Sequence, residues 1–205
     1  MKRTLVFFGR KNDIITESAI NLCTSFFDIV EIILTEWNNK KCQVSTEKTD
    51  YIFSFRNLHI LNDIEIGKAR YAAINFHPAP PKYPGIGGYC YALYNKDKYY
   101  GVTSHFIDNG IDSGKIIFYD KFCINTNETV QSLQAKSYDH LLGLLLKVSQ
   151  IIYSNIQLKP SNHRWERSAY TKMEFNRFIL QSVFDTSAQA ESIKEYARLM
   201  THCPR

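Results

Sequence analysis

The chain has 205 residues and a mass of 23.8 kDa; 44% of its residues are apolar and 22% charged, which excludes a disordered or collagen-like polymer. Its formal net charge of +5 suits an anionic ligand but is too modest and too scattered to name one. No apolar run approaches the ~18–20 residues of a membrane helix, and the five cysteines (Cys23, Cys42, Cys90, Cys123, Cys203) form no C-x-x-C pair, so neither a disulfide framework nor a zinc knuckle is supported.

Thr4 to Phe8 is apolar and β-rich and ends at Gly9, which predicts a buried first strand rather than a secretory leader. On that reading the protein is cytoplasmic. Ile14 to Phe27 carries apolar residues at helical spacing. Asp28 to Leu34 reads as a second strand, Glu36 to Lys48 as a polar connector, Tyr51 to Phe55 as a third strand and Ala72 to Phe76 as a fourth. Such alternation predicts an α/β fold with a mostly parallel twisted sheet flanked by helices.

His77 to Gly88 holds four of the six prolines and three glycines, so it reads as a long loop, and such loops are usually functional. Two strands are expected at Gly101 to Asp108 and Lys115 to Ile124, joined by the turn-rich Asn109 to Gly114. Asn127 to Tyr153 is the longest predicted helix, entered through Asn125-Thr126-Asn127-Glu128. From Gln157 the pattern changes. A short strand at Trp165 to Tyr170 and helices at Thr171 to Phe178 and Ala188 to Met200 are expected. The predicted organisation is a main domain at 1–156 and a small C-terminal extension at 157–205.

Chemistry concentrates where the fourth strand empties into the Pro/Gly loop. Strand side chains repeat every two residues, so Asn75 and His77 share one face. Ligands collect at the carboxyl ends of parallel strands. A second acidic turn, Asp108-x-Gly110-x-Asp112-x-Gly114, follows about 35 residues on. Taken singly, a strand-end histidine and a turn aspartate are more often structural.

Taken together, Asn75-x-His77-Pro78, the loop with Tyr83-Pro84-Gly85, then Gly101-Val102-Thr103 and Asp108 to Gly114 resemble the folate-dependent formyltransferase family. The resemblance covers Tyr51 to Ile124. It implies a Rossmann-like fold and transfer of a formyl group from N10-formyltetrahydrofolate to an amine, with no metal. It also implies roles for three residues. His77 would be the general base, a task suited to an imidazole, which exchanges protons near neutral pH. Asp112 would orient His77. Asn75 would donate to the oxyanion, a contact whose loss costs about 3 kcal/mol in comparable sites. The folate would lie between His59-Ile60-Leu61 and the segment holding Asp108, Gly110 and Ile111.

The acceptor implied is a nucleotide-linked amino sugar, such as a dTDP-4-amino-4,6-dideoxyhexose or GDP-perosamine. Pro80-Pro81-Lys82-Tyr83-Pro84-Gly85-Ile86-Gly87-Gly88-Tyr89 is most similar to the sugar N-formyltransferases. The corresponding loop of the tRNA enzymes contains an arginine absent here. About 45–50 residues follow the long helix, too few for the C-terminal barrel usual in those enzymes. Lys82 is a candidate for a nucleotide phosphate, and Tyr83 or Tyr89 for a base or sugar face. Nucleic acid is an improbable partner on this charge, no membrane is implied, and a homodimer is compatible with the tail. The alternatives are a methionyl-tRNA or glycinamide ribonucleotide formyltransferase, or a folate-binding module without catalysis. Gly9-Arg10-Lys11-Asn12 is no G-x-G-x-x-G loop, so dinucleotide binding has little support.

Overall fold

The computed structural model describes residues 2–36, 47–182, 185 and 187–202. Most of the predicted connector Glu36 to Lys48 lies outside these residues, as do Cys42 and Cys203. The chain runs β1 (Thr4–Arg10), α1 (Ile14–Thr24), β2 (Ile29–Thr35), β3 (Thr49–Phe55), α2 (Asp63–Ile66) and β4 (Ala69–His77). It continues through α3 (Gly88–Tyr94), β5 (Tyr99–Phe106), β6 (Ile116–Cys123), α4 (Val130–Tyr153), α5 (Lys172–Ser182) and α6 (Ala188–His202).

The six strands form one sheet in the order β2-β1-β3-β4-β5-β6. Strands β2, β1, β3 and β4 pair in parallel, whereas β5 alone runs against the rest and pairs antiparallel with both β4 and β6. The α/β expectation therefore holds, with one reversed strand that the alternating sequence pattern did not distinguish. Strand alternation sorts the side chains. Leu5, Phe7, Phe53, Phe55, Ile74 and Phe76 enter a large aromatic core shared with α1, α3 and α4, while Val6, Phe8, Ile52 and Ala73 form a smaller cluster on the other face. The large core fixes the sheet, and the thinly covered second face carries the chemistry.

Helix α4 begins at Val130, three residues later than expected, because Thr129 is the N-cap and makes a reciprocal capping box with Ser132. Its first free N–H is taken by the Ser192 hydroxyl of α6 at 2.9 Å. Helix α3 was not anticipated. Residues Gly88 to Leu93 are all buried, so the helix shows no polar face for periodicity to detect. The single-turn helix α2 was also missed; its Asn62–Glu65 capping box sustains it.

The strand expected at Trp165 to Tyr170 does not form. The only bridge in that segment is Gly85 to Tyr170. Its facing loop contains Pro80, Pro81 and Pro84, which offer carbonyls but no N–H, so a full ladder is impossible. Single bonds form instead: Glu166 N–H donates to Pro81 O (3.1 Å) and Tyr170 N–H to Pro84 O (2.8 Å). No helix among the described residues is long and apolar enough to cross a membrane.

Leu145 is fully buried beneath the sheet, whereas Leu146 is 37% exposed. Leu145→Ala should lower the unfolding free energy by about 2–5 kcal/mol. Leu146→Ala should stay within about 0.5 kcal/mol of the parent. Urea denaturation of both variants checks the assigned helix face.

Candidate active site

Strand β4 sends Ile74 and Phe76 into the core and turns Asn75 and His77 to the opposite face. The antiparallel register sets Asn75 opposite His105 and His77 opposite Thr103. After β5 the chain stays on β4 for one more bond, Ile107 N–H to Ala73 O at 2.8 Å. It then turns back over the face. Asp108 holds this turn by accepting from Gly110 N–H and the Ser113 hydroxyl. Gly114 closes it: a Cβ there would lie 1.8 Å from the Phe106 carbonyl oxygen, so no other residue fits. The turn drives Asp112 to φ +45°, a left-handed conformation that aspartate tolerates better than most residues.

That geometry places the Asp112 carboxylate at the centre of the site. Its Oδ2 accepts from Gly85 N–H at 2.8 Å and lies 3.2 Å from His77 Nδ1. Its Oδ1 accepts from Asn75 Nδ2 at 3.2 Å and lies 3.3 Å from His105 Nε2. Burial pushes this carboxyl up, but the positive charge that His77 and then His105 bring when protonated, together with the Gly85 N–H, outweighs it and holds the pKa down at about 2. Asp112 is therefore an ionised acceptor.

Ionisation of Asp112 orders the neighbouring protons. Asn75 must present its NH2 rather than its carbonyl to the carboxylate. The same nitrogen lies 3.1 Å from His105 Nε2. His105 Nδ1 meets the Phe106 carbonyl at 2.8 Å, so the hydrogen sits on Nδ1 and Nε2 accepts from Asn75. His77 is the reverse case. Its Nε2 faces the Tyr83 carbonyl at 3.0 Å and carries the hydrogen, leaving Nδ1 toward Asp112. Expected residues Asn75, His77 and Asp112 thus come together, and both N–H groups of Asn75 are already engaged.

A cavity of about 240 Å³ opens beside them. His59, Ile60, Leu61, Asp108, Gly110 and Ile111 all line it. They differ in what they offer. Ile60 (72%) and Ile111 (53%) are exposed apolar side chains at the cavity, whereas Leu61 is buried in the smaller core cluster. The His59 ring is held by the Glu65 carboxylate at 2.9 Å. A larger cavity of about 1040 Å³ opens beside Asp50 and Arg70, near the starts of β3 and β4. Arg70 is joined there to Asp50 and Arg3 to the Tyr153 carbonyl, and the cavity contains none of the catalytic candidates.

The loop candidates do not serve the roles expected of them. Lys82 is bound to Asp97 at 2.8 Å, and that carboxylate raises its pKa. Tyr83 is fully buried, donates its hydroxyl to Asp97 and is pushed up to about 12 by burial and that bond. Tyr89 is buried in the main core. The two tyrosine rings present no free face to a nucleotide, because the Pro/Gly loop folds inward around them, whereas the Lys82 side chain stays 44% exposed with its charge paired to Asp97.

Two site residues escaped the sequence reading. His105 shares the strand face of Thr103 and stands opposite Asn75, a pairing that no local pattern announces. Trp165 comes from the tail and stands edge-on to the rings of His77 and His105, with centroids at 5.8 and 5.1 Å. No local pattern announces it.

The sequence profile of the formyl transferase family matches residues 36–148. A methionyl-tRNA formyltransferase of Clostridium tetani is 30% identical over 126 residues, covering 60% of this chain and 40% of that protein. The chain spans about 40% of the length of the first curated relatives it matches. Among solved structures, the N-formyltransferase of Helicobacter canadensis, in complex with folinic acid and dTDP-3-aminofucose, superposes with a TM-score of 0.62 at 22% identity over 85% of this chain and 72% of that one. A formyltransferase of Anoxybacillus kamchatkensis, bound to UDP-4,6-dideoxy-4-formamido-L-AltNAc and tetrahydrofolate, gives 0.69 at 19% identity over 93% of this chain and 97% of that one. These likenesses carry the fold, and the profile match, which takes in the strand-end Asn75 and His77 and the Asp112 turn, carries the family: the chain belongs to the formyl transferases.

Proposed function

We propose that this chain is a folate-dependent N-formyltransferase that moves the formyl group of N10-formyltetrahydrofolate to the amine of a nucleotide-linked amino sugar. The observation that carries it is the convergence of Asn75, His77 and an ionised Asp112 at a cavity walled by residues 59–61 and 108–112. The catalytic part is placed at residues 1–156, with 157–205 as an extension.

In this reading the amine nitrogen attacks the formyl carbon, and the C–N10 bond breaks from the tetrahedral intermediate. Asn75 gives one of its two N–H groups to the developing oxyanion, exchanging a bond to His105 or Asp112 for it. His77 takes the amine proton at Nδ1, since Nε2–H is held by the Tyr83 carbonyl. The imidazolium forms 3.2 Å from Asp112 Oδ2, which offsets its charge. The proton then passes to the leaving N10. Ile60 and Ile111 supply apolar contact to the pterin, and backbone groups of residues 59–61 and 108–112 read its polar edge.

The acceptor reading draws on two neighbours whose complexes contain dTDP-3-aminofucose and a UDP-linked formamido sugar. The 30% identity to a methionyl-tRNA formyltransferase favours formylatable tRNA as the second reading. The deciding assay follows tetrahydrofolate release from N10-formyltetrahydrofolate with dTDP-, UDP- and GDP-linked amino sugars, glycinamide ribonucleotide and aminoacylated initiator tRNA in parallel. Turnover with a sugar nucleotide supports the proposal; turnover with tRNA alone replaces it.

His77→Ala should cut turnover by about 10³-fold while the thermal melt stays cooperative. A near-parental rate would remove His77 from the mechanism. Asp112 also sets an acid limit. Its folded pKa is depressed from the ordinary aspartate value of 3.8 to about 2. The carboxylate therefore contributes stability that is present above pH ~4 and is lost as the pH falls toward ~2, a contribution of about 2 kcal/mol. Urea midpoints measured from pH 5 to pH 2 should fall less steeply for Asp112→Asn than for the parent. Parallel slopes would contradict the assigned burial and pairing.

A further inference from the structure

We propose that Trp165, outside the residues matched by the family profile, is a positioning residue that holds the two histidines of the site; this rests on the formyl-transfer reading. Three observations converge on it. The indole Nε1–H donates to the Gly114 carbonyl at 2.8 Å, fastening the side chain to the turn that carries Asp112. The ring meets His77 at an interplanar angle of 70° and His105 at 88°, so its edge abuts both imidazoles. The backbone around it is tied down at both ends. Ser161 N–H bonds to Ile116 O at 2.7 Å, at the start of β6, and Ile86 N–H to Tyr170 O at 3.1 Å, in the Pro/Gly loop. Gly85 locks that second end: it lies at φ +83°, and a Cβ there would come within 2.4 Å of the Tyr170 carbonyl oxygen.

Residues 161–170 thus form a strap across the open face of the sheet, with Trp165 at its centre. The strap touches the Asp112 turn through Gly114, and it touches the loop whose Gly85 N–H binds Asp112. Side chains kept in one rotamer by packing hold catalytic geometry that free rings would lose. His77 and His105 carry their hydrogens on opposite nitrogens, Nε2 and Nδ1, each fixed by a carbonyl partner, and a half-buried indole against both rings opposes the ring flips that would turn those nitrogens away from their partners and release the tautomers. The groups facing the pair are Asp112 from the turn, Asn75 from β4, the Tyr83 carbonyl and the Phe106 carbonyl.

The test compares Trp165→Phe and Trp165→Leu with the parent, each in the full chain. Ring-nitrogen NMR of labelled histidines reads the tautomers directly and needs no acceptor. The parent should show His77 with hydrogen on Nε2 and His105 with hydrogen on Nδ1, and Trp165→Leu should show mixed tautomers at one or both. In the transfer assay kcat should fall by about tenfold for Trp165→Leu and less for Trp165→Phe, because small displacements are costly to rate. The KM for the formyl donor should stay within about twofold, because ground-state binding is untouched. Unchanged tautomers and kcat in a cooperatively melting Trp165→Leu would overturn the proposal. Should that variant not fold, Trp165→Phe decides in its place: parental tautomers and kcat overturn, and a shift in either supports. A parent that transfers formyl to no acceptor defeats the proposed function, while the NMR comparison still decides what Trp165 does to the rings.

Discussion

The buried carboxylate of Asp112 is the contact through which the site is assembled. Four separate pieces of chain end on it: β4 through Asn75 and His77, β5 through His105, the Pro/Gly loop through Gly85 N–H, and its own turn. A charge this deep would be unfavourable alone, and its partners are what make it stable there. Because it can only accept, it dictates the amide orientation of Asn75, and with it the proton arrangement of the pair Asn75–His105. The electrostatics and the geometry are therefore one constraint.

The sheet makes that constraint possible by dividing labour between its faces. Aromatic residues on one face, Phe7, Phe53, Phe55 and Phe76, interlock with one another and with Phe27. This core carries the burial that stabilises the fold. Among the described residues, the opposite face at β4 and β5 is covered by the Asp112 turn, the strap and the segment through Leu61 and α2, which leave a cavity where polar side chains can meet a ligand. The change of direction between β4 and β5 matters too. The antiparallel pairing brings His105 level with Asn75 and returns the chain over the face it has just left.

The inward fold of the Pro/Gly loop has a cost for simple expectations. Lys82, Tyr83 and Asp97 satisfy one another, and Tyr83 lends its backbone carbonyl, not its ring, to the site. A loop of prolines and glycines with one lysine and one tyrosine thus acts as scaffold for His77. Tyr170 of the tail bridges to Gly85 in this loop and stacks on Tyr91 of α3 at 4.1 Å, which joins loop and helix to the tail.

Local pattern in the sequence was enough for the strands, the long helix and the α/β class, because period two and period 3.6 are local properties of a chain. It was also enough to single out Asn75, His77 and Asp112 as candidates that the fold brings together, because they stand at strand ends and between glycines in a spacing that resembles a known family. What local pattern could not decide was which surfaces meet. The buried helix α3 has no polar face to betray it, and the direction of β5 is fixed by pairing rather than by its own residues. His105 becomes part of the site only through register with Asn75, and Trp165 only through a strap that crosses about 90 residues of sequence to reach His77. Lys82 and Tyr83 changed roles for the same reason. Their partners, Asp97 and Asn95, lie across a helix, and only the folded chain brings them within bonding distance.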